Sequence, residues 1–135
     1  MAGSGRQADS LTGVWHGQYA YPLLLEPVQF TATLIESGRQ ISGSIHETGR
    51  RPGQVAQQLK AMLEGAVGGA TLRFVKTYLP ASDQHQDVIY IGTINAERTE
   101  IEGEWIIPGD WSGRFVMIRM RDPAQSVEQR QMIEA

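Results

Sequence analysis

The sequence predicts an all-β domain, an eight-stranded antiparallel up-and-down barrel, and three observations favour that fold. Apolar and polar residues alternate with the period of a β-strand from residue 11 to residue 121. Glycine-rich breaks divide this stretch into eight segments of similar length. The connections between the segments are short, so each strand is expected to pair with the next one along the chain.

The predicted strands follow one another at even spacing. They span residues 11–21, 28–36, 40–48, 58–66, 70–79, 88–95, 100–107 and 111–121. The small and polar residues 1–10 are expected to form a disordered leader before the 11–121 barrel domain. Residues 122–135 begin with Asp-Pro and are expected to be either a short helix packed on the outside of the barrel or a frayed tail.

Composition narrows the classes of function. The chain has 135 residues, of which 41% are hydrophobic and 20% are charged, and its net charge is -3. These values are typical of one soluble globular domain. No run of Lys and Arg is longer than the pair Arg50–Arg51, so a nucleic-acid or membrane-surface partner is not predicted.

Targeting and redox signals are also absent from the sequence. The first ten residues contain no apolar stretch of the kind found in signal peptides. No apolar run approaches the roughly 20 residues that a membrane-spanning helix needs. The chain has no cysteine, which excludes disulfides and thiolate chemistry. The default expectation is a cytoplasmic protein.

Strand alternation assigns every second residue to the inside of the barrel, and the meander then sorts these residues by height. The lower layer is mostly aliphatic and contains Trp15, Leu34, Ile41, Gly65, Leu72, Ile94, Ile101, Met117 and Arg119. The upper layer contains Tyr19, Tyr21, Phe30, Glu47, Lys76, Tyr78, Tyr90 and Trp105. Trp111 is expected either to lie at this end as well or to anchor a loop or a neighbouring subunit. All four tyrosines and the single inner carboxylate and lysine therefore fall at one end, where the connections are longer.

These eight upper residues are the predicted ligand-binding residues. One interpretation is an open pocket with apolar walls and a few oriented polar groups. The other is that the tyrosines fill the mouth, hydrogen-bond to one another and leave no cavity.

Glu47 and Lys76 also allow two interpretations. A charge on the inner face of a strand is costly unless it is paired or hydrated. The two side chains are expected either to form an ion pair that orients a polar or anionic ligand, or to lie near the rim and reach bulk water, with Lys76 snorkelling.

Short motifs resemble those of the calycins, the group that contains lipocalins and avidins. Leu11-Thr12-Gly13-Val14-Trp15 opens the first strand and Arg119 closes the last, and in those families the Trp packs across the barrel floor against such an Arg. The segment 101–105, Ile-Glu-Gly-Glu-Trp, is similar to the seventh avidin strand, whose Trp lines the biotin site. As a whole the chain is most similar to bacterial lipocalin-like domains of uncharacterised function.

The sequence does not predict that this chain binds the ligands of these families, biotin and haem. Avidins place an Asn two residues after the motif Trp, where this chain has Gly17. Haem-binding barrels of this kind need an inner His, whereas His16 and His46 are expected to point outward and His85 to lie in a loop. Without a metal spacing or a nucleophile motif, the sequence predicts no cofactor, no metal and no catalytic residue.

The outer faces of the predicted strands differ between the two halves of the chain. Strands five to eight present Val75, Ile89, Ile91, Ile106, Val116, Ile118 and Met120 outward. A contiguous apolar outer face is typical of an interface, so homo-oligomerisation through these strands is expected unless the tail covers them.

Three functions follow from these observations. The first is non-enzymatic binding of a small amphipathic or aromatic molecule in the cavity. The second is a small barrel enzyme that uses Glu47, Lys76 and a tyrosine as an acid–base set. The third is an interaction or oligomerisation module.

Overall fold

Alternation of apolar and polar residues gives each segment one face that must be buried, and eight such segments bury it together by closing into a barrel. The computed structural model describes residues 10–22, 26–49, 57–80 and 86–120. It confirms the predicted all-β, eight-stranded antiparallel up-and-down barrel. Residues 1–9 of the predicted leader, residue 121 and the whole predicted tail at residues 122–135 lie outside the described residues.

The observed strands agree with the predicted ones to within two residues at each end. They are β1 (Gly13–Ala20), β2 (Val28–Ser37), β3 (Gln40–Gly49), β4 (Gln57–Gly68), β5 (Thr71–Leu79), β6 (Val88–Ile94), β7 (Glu100–Ile106) and β8 (Ser112–Arg119). Each strand pairs antiparallel with the next, and β1 pairs with β8 to close the barrel. Trp15 on β1 lies opposite Arg119 on β8 in that closing pair.

The base of the barrel is held by a group of contacts around Trp15. The indole N–H of Trp15 donates to the carbonyl oxygen of Leu11 at 2.9 Å, and both residues are fully buried. The guanidinium of Arg119 lies 5.4 Å from the centre of the Trp15 ring. It donates to the backbone carbonyls of Arg98 at 3.1 Å and of Thr12 at 2.7 Å. Arg119 is therefore a structural residue that ties the two closing strands to the β6–β7 turn.

Two inward-facing glycines make room for their neighbours in the narrow interior. The ring of Phe30 occupies the space that a side chain at Gly17 would need. A Cβ at Gly103 would overlap the backbone of Ile91 and Gly92 on the neighbouring strand. A side chain can move aside more easily than the backbone of a paired strand. A larger residue is therefore easier to accommodate at Gly17 than at Gly103.

The outer surface is apolar in more places than the sequence analysis expected. Ile91 and Ile118 are exposed on the second half of the barrel, and the other five apolar residues predicted there are half-buried. Val14, Ile35 and Met62 are, however, also exposed on the first half, so the contrast between the halves is weaker than predicted. Homo-oligomerisation through β5–β8 stays a prediction. The described part of the chain contains no helix with the length and apolar character to cross a bilayer.

Replacing Gly103 with Ala tests the close approach of β6 and β7. The added methyl group meets backbone atoms that cannot rotate away, so we expect a loss of stability of about 1–3 kcal/mol in urea unfolding. The matched control is Gly68→Ala, where a Cβ meets nothing within 4 Å. The control should change stability by less than about 0.5 kcal/mol. Equal stability of the two variants would contradict this account of Gly103.

Candidate functional site

The upper half of the barrel interior contains a polar cluster that comes from four strands. Tyr19 lies on β1, Glu47 on β3, Lys76 and Tyr78 on β5, and Tyr90 on β6. Alternation turns all five side chains inward, and the meander places them at the same end. Glu47 and Lys76 are separated by β4, so only the curvature of the closed sheet brings them together.

The carboxylate of Glu47 is the centre of this cluster. Its Oε1 atom accepts hydrogen bonds from the hydroxyl of Tyr19 at 2.9 Å and the hydroxyl of Tyr78 at 2.7 Å. Its Oε2 atom lies 3.1 Å from Nζ of Lys76, which forms an ion pair with it. Glu47 is only 3% exposed, so these three donors replace the water that the carboxylate has lost.

The ammonium group of Lys76 is enclosed by aromatic residues and is only 1% exposed. Its Nζ atom donates to the hydroxyl of Tyr90 at 3.2 Å as well as to Glu47. It lies 4.7 Å from the ring centre of Tyr19, 4.6 Å from that of Tyr78 and 5.3 Å from that of Tyr90. The three rings therefore add cation–π contacts to the single ion pair.

Burial shifts the protonation of the groups around Glu47. Desolvation raises the pKa values of the Tyr19, Tyr78 and Tyr90 hydroxyls above their ordinary value, and the nearby Glu47 carboxylate raises them further. The pKa of Lys76 is lowered because loss of water outweighs the stabilising effect of Glu47. The tyrosines are consequently neutral donors over the physiological range, and Lys76 loses its proton more readily than a surface lysine.

The ion pair decides between the two interpretations of Glu47 and Lys76. Both side chains are buried and paired, so the expectation that they lie at the rim and reach bulk water is wrong. Snorkelling is prevented because the rings of Tyr19 and Tyr78 lie over the ammonium group. The cluster lies below the mouth and inside the barrel.

A cavity of about 90 Å³ lies beside the cluster. It reaches from the buried Lys76 and Tyr90 up to the exposed Gln86. It is lined by Tyr19, Tyr21, Lys76, Tyr78, Gln86, Val88, Tyr90, Trp105 and Ile107. The tyrosines therefore fill part of the upper barrel and line a small cavity in the rest of it. This arrangement lies between the two interpretations of the sequence, an open pocket and a mouth filled by tyrosines.

Six of the eight predicted binding residues line this cavity, and Phe30 and Glu47 do not. Phe30 packs on Gly17 with its ring centre 6.1 Å from that of Tyr19, so it supports the wall from outside the cavity. Glu47 lies behind Lys76 and holds it in place.

Three lining residues were not among the predicted binding residues. Val88 and Ile107 lie on the inner face near Tyr90 and Trp105, and their height in the meander could have indicated them. They were missed because apolar wall residues carry no chemical signal. Gln86 precedes β6, in a connection where strand alternation predicts nothing.

The two tryptophans of the upper end differ in their environments. Trp105 is buried, lines the cavity and donates its indole N–H to the carbonyl oxygen of Ala20 at 3.1 Å. This hydrogen bond fixes the ring as a rigid wall next to Tyr21, whose ring centre lies 5.0 Å away. Trp111 is 45% exposed and contacts the edge of Tyr21 outside the cavity lining.

The two histidines that the structure describes take no part in the cluster. His16 and His46 are exposed on the outer faces of β1 and β3. Within residues 10–22, 26–49, 57–80 and 86–120, no group of three or more His, Asp or Glu side chains comes together in a way that could hold a metal ion. His85 lies outside the described residues.

Comparison with known proteins adds no family assignment: no protein-family model matches the chain, and no curated protein sequence matches it. The case for a function therefore depends on the cluster and the cavity.

Exchange of Glu47 and Lys76 for apolar residues tests whether the two charges depend on each other. Glu47→Leu and Lys76→Met should each cost about 3–5 kcal/mol, because each leaves one buried charge unpaired. The double variant should be more stable than the sum of the single effects predicts, by up to about 3 kcal/mol, in a double-mutant cycle measured by urea unfolding. The exposed residues Glu64 and Lys60 on β4 give the control cycle, which should be additive. Additivity at Glu47 and Lys76 would contradict a coupled pair.

Alkaline pH should destabilise the protein through the buried tyrosines. Their pKa values are raised in the folded state. The unfolded chain therefore releases these protons first, near pH ~10, and stability falls as the pH rises further. The lowered pKa of Lys76 acts in the opposite direction, but only below the ordinary lysine pKa of about 10.4.

Unfolding free energies measured at several pH values above about 11.4, where an unfolded lysine is mostly neutral, are therefore dominated by the tyrosine effect. The variant Tyr90→Phe removes one of these groups and should make the slope less steep by up to about 1.4 kcal/mol per pH unit. An unchanged slope in the variant would show that Tyr90 is not held in its neutral form.

Proposed function

We propose that the protein is a lipocalin-like barrel that binds a small amphipathic molecule, with the polar end of the ligand inside the cavity. The observation that carries the proposal is the cavity of about 90 Å³, which has Lys76, paired with Glu47 behind it, and hydroxyl groups at one end and apolar walls at the other. Sites for small molecules combine these two kinds of surface.

The polar end of the cavity favours a hydrogen-bond acceptor. An ammonium group has three N–H donors, and Lys76 uses two of them on Glu47 and Tyr90. Tyr90 accepts from Lys76, so its own O–H is also available to donate. In the part of the chain that the structure describes, neither of these two donors has an acceptor. A carbonyl or carboxylate oxygen in the cavity would satisfy both.

The apolar end of the cavity favours a flat or aliphatic group. Trp105, Val88 and Ile107 form this wall together with the ring of Tyr21. An apolar cavity of about 150 Å³ holds one benzene molecule. The smaller volume here accommodates a polar group with only a few attached carbons, so a longer ligand would extend towards Gln86 and the mouth.

Acid–base catalysis in the same cavity is the second candidate function. Such chemistry requires proton donors and acceptors in hydrogen-bond contact. Beside the cavity, Nζ of Lys76 lies 3.1 Å from the carboxylate of Glu47 and 3.2 Å from the hydroxyl of Tyr90. A proton could pass from Lys76 to Glu47 without rearrangement. Consumption of a bound ligand, as opposed to its recovery unchanged, would distinguish the enzyme from the binding protein.

A thermal-shift screen of small carbonyl and carboxylate compounds tests the proposal. We expect at least one compound to raise the unfolding temperature, because a ligand that binds only the folded state stabilises it. The variant Val88→Phe fills the cavity and should abolish this shift. The matched control is Ile89→Phe, which adds the same ring to the outward-facing neighbour on β6 and should leave the shift unchanged. A shift that survives Val88→Phe would place binding elsewhere, and the absence of any shift would overturn the proposal.

A further inference from the structure

We propose that Lys76 is a covalent capture site, at which its amine condenses with a small aliphatic aldehyde to form an imine. The inference deepens the proposed function and rests on it, since the aldehyde must first enter the cavity. It names a chemical class of ligand and gives a nucleophilic role to a residue that otherwise only pairs with Glu47.

Position is the first argument for this role. Lysines are rarely buried, because they keep their charge in water unless a partner is present. Lys76 is 1% exposed and is nevertheless among the residues that line the cavity, and its Nζ lies 3.1 Å from Glu47. A buried lysine in an apolar pocket is a typical amine nucleophile for carbonyl compounds, because desolvation favours its neutral form.

The neighbours of Lys76 supply what imine formation needs. Oε2 of Glu47, 3.1 Å from Nζ, can accept the proton that must leave the ammonium group before it attacks. Tyr90 also lines the cavity, and its hydroxyl, 3.2 Å from Nζ, can donate to the carbonyl oxygen. The three aromatic rings around Nζ stabilise a cation there, whether it is an ammonium or an iminium.

The reaction balances with these groups alone. The proton on Nζ moves to Glu47, and the freed lone pair attacks the carbonyl carbon to form the N–C bond. A second proton then moves from nitrogen to the carbonyl oxygen, which gives a carbinolamine. Glu47 returns its proton to the departing hydroxyl, which leaves as water, and the nitrogen lone pair forms the C=N bond. The product is an iminium cation beside the Glu47 carboxylate, so the total charge of the site is unchanged.

The size of the cavity restricts the aldehyde. A volume of about 90 Å³ accepts a carbonyl group with a short aliphatic chain and is smaller than the cavity of about 150 Å³ that holds one benzene molecule, so an aromatic aldehyde is not expected to fit. Propanal is therefore a suitable probe. Propanamide is a matched analogue that presents a carbonyl oxygen of similar size and cannot form an imine with an amine.

Reductive trapping tests the inference on the whole chain of 135 residues. The chain has only two lysines, Lys76 in the cavity and Lys60 exposed on the outer face of β4, so one molecule contains both the test and its control. The protein is incubated with propanal and sodium cyanoborohydride near neutral pH, and labelling at each lysine is measured by peptide mass mapping. We expect Lys76 to be labelled faster than Lys60 by on the order of tenfold, because a surface lysine is almost fully protonated at that pH.

Variants distinguish labelling of Lys76 that depends on the cavity from the general reactivity of lysines with the aldehyde. Val88→Phe should stop labelling at Lys76 and leave labelling at Lys60 unchanged, whereas Ile89→Phe should change neither. The folded state of each variant is checked by its thermal unfolding. Labelling of Lys76 at or below the rate of Lys60 would overturn the inference.

Propanamide distinguishes failure of covalent capture at Lys76 from failure of the proposed binding function. If propanamide raises the unfolding temperature while propanal does not label Lys76 preferentially, the cavity binds carbonyl compounds without covalent capture. If propanamide gives no shift and Lys76 is not labelled, the covalent inference is overturned and the cavity has failed with both probes.

Discussion

The pairing of Glu47 with Lys76 is the interaction on which the upper half of the barrel depends. Two charges inside a protein are costly, and they persist only when every oxygen and most N–H groups around them find partners. Tyr19 and Tyr78 supply those partners to the carboxylate, and Tyr90 supplies one to the ammonium group. The positions of three tyrosines are thus fixed by the need to replace water around one ion pair.

The same pair also explains why the barrel is not filled to the top. Hydrogen bonds to Glu47 hold the rings of Tyr19 and Tyr78 close to Lys76, and Tyr90 stacks on Phe74 with ring centres 4.8 Å apart. These directional contacts fix where the three rings lie, and Tyr19 also meets Trp105 in a T-shaped contact with ring centres 6.0 Å apart. The space left between the cluster and the apolar wall is the cavity, which results from competing geometric demands in a narrow interior.

Strand alternation made the fold, the inward set and the two layers predictable, because one polar–apolar period is shared by all eight segments. The pairing of Glu47 with Lys76 was predictable only as one of two alternatives, since their strands are not neighbours and their separation depends on the curvature of the closed sheet. For the same reason the sequence could place Phe30 at the right height and could not show that it packs behind Tyr19. Gln86 could not be predicted as a lining residue because it lies outside the segments with strand periodicity.

The base of the barrel has a consequence for how the fold can be rearranged. β1 begins and β8 ends at this base, and the backbone N–H of Met120 donates to the carbonyl of Val14 at 2.8 Å. The first and last strands therefore meet side by side, and a short linker could join them so that the chain is reopened at another turn, as a circular permutant. Fusion partners attached before β1 or after β8 would emerge at the base, at the opposite end from the space beside Lys76.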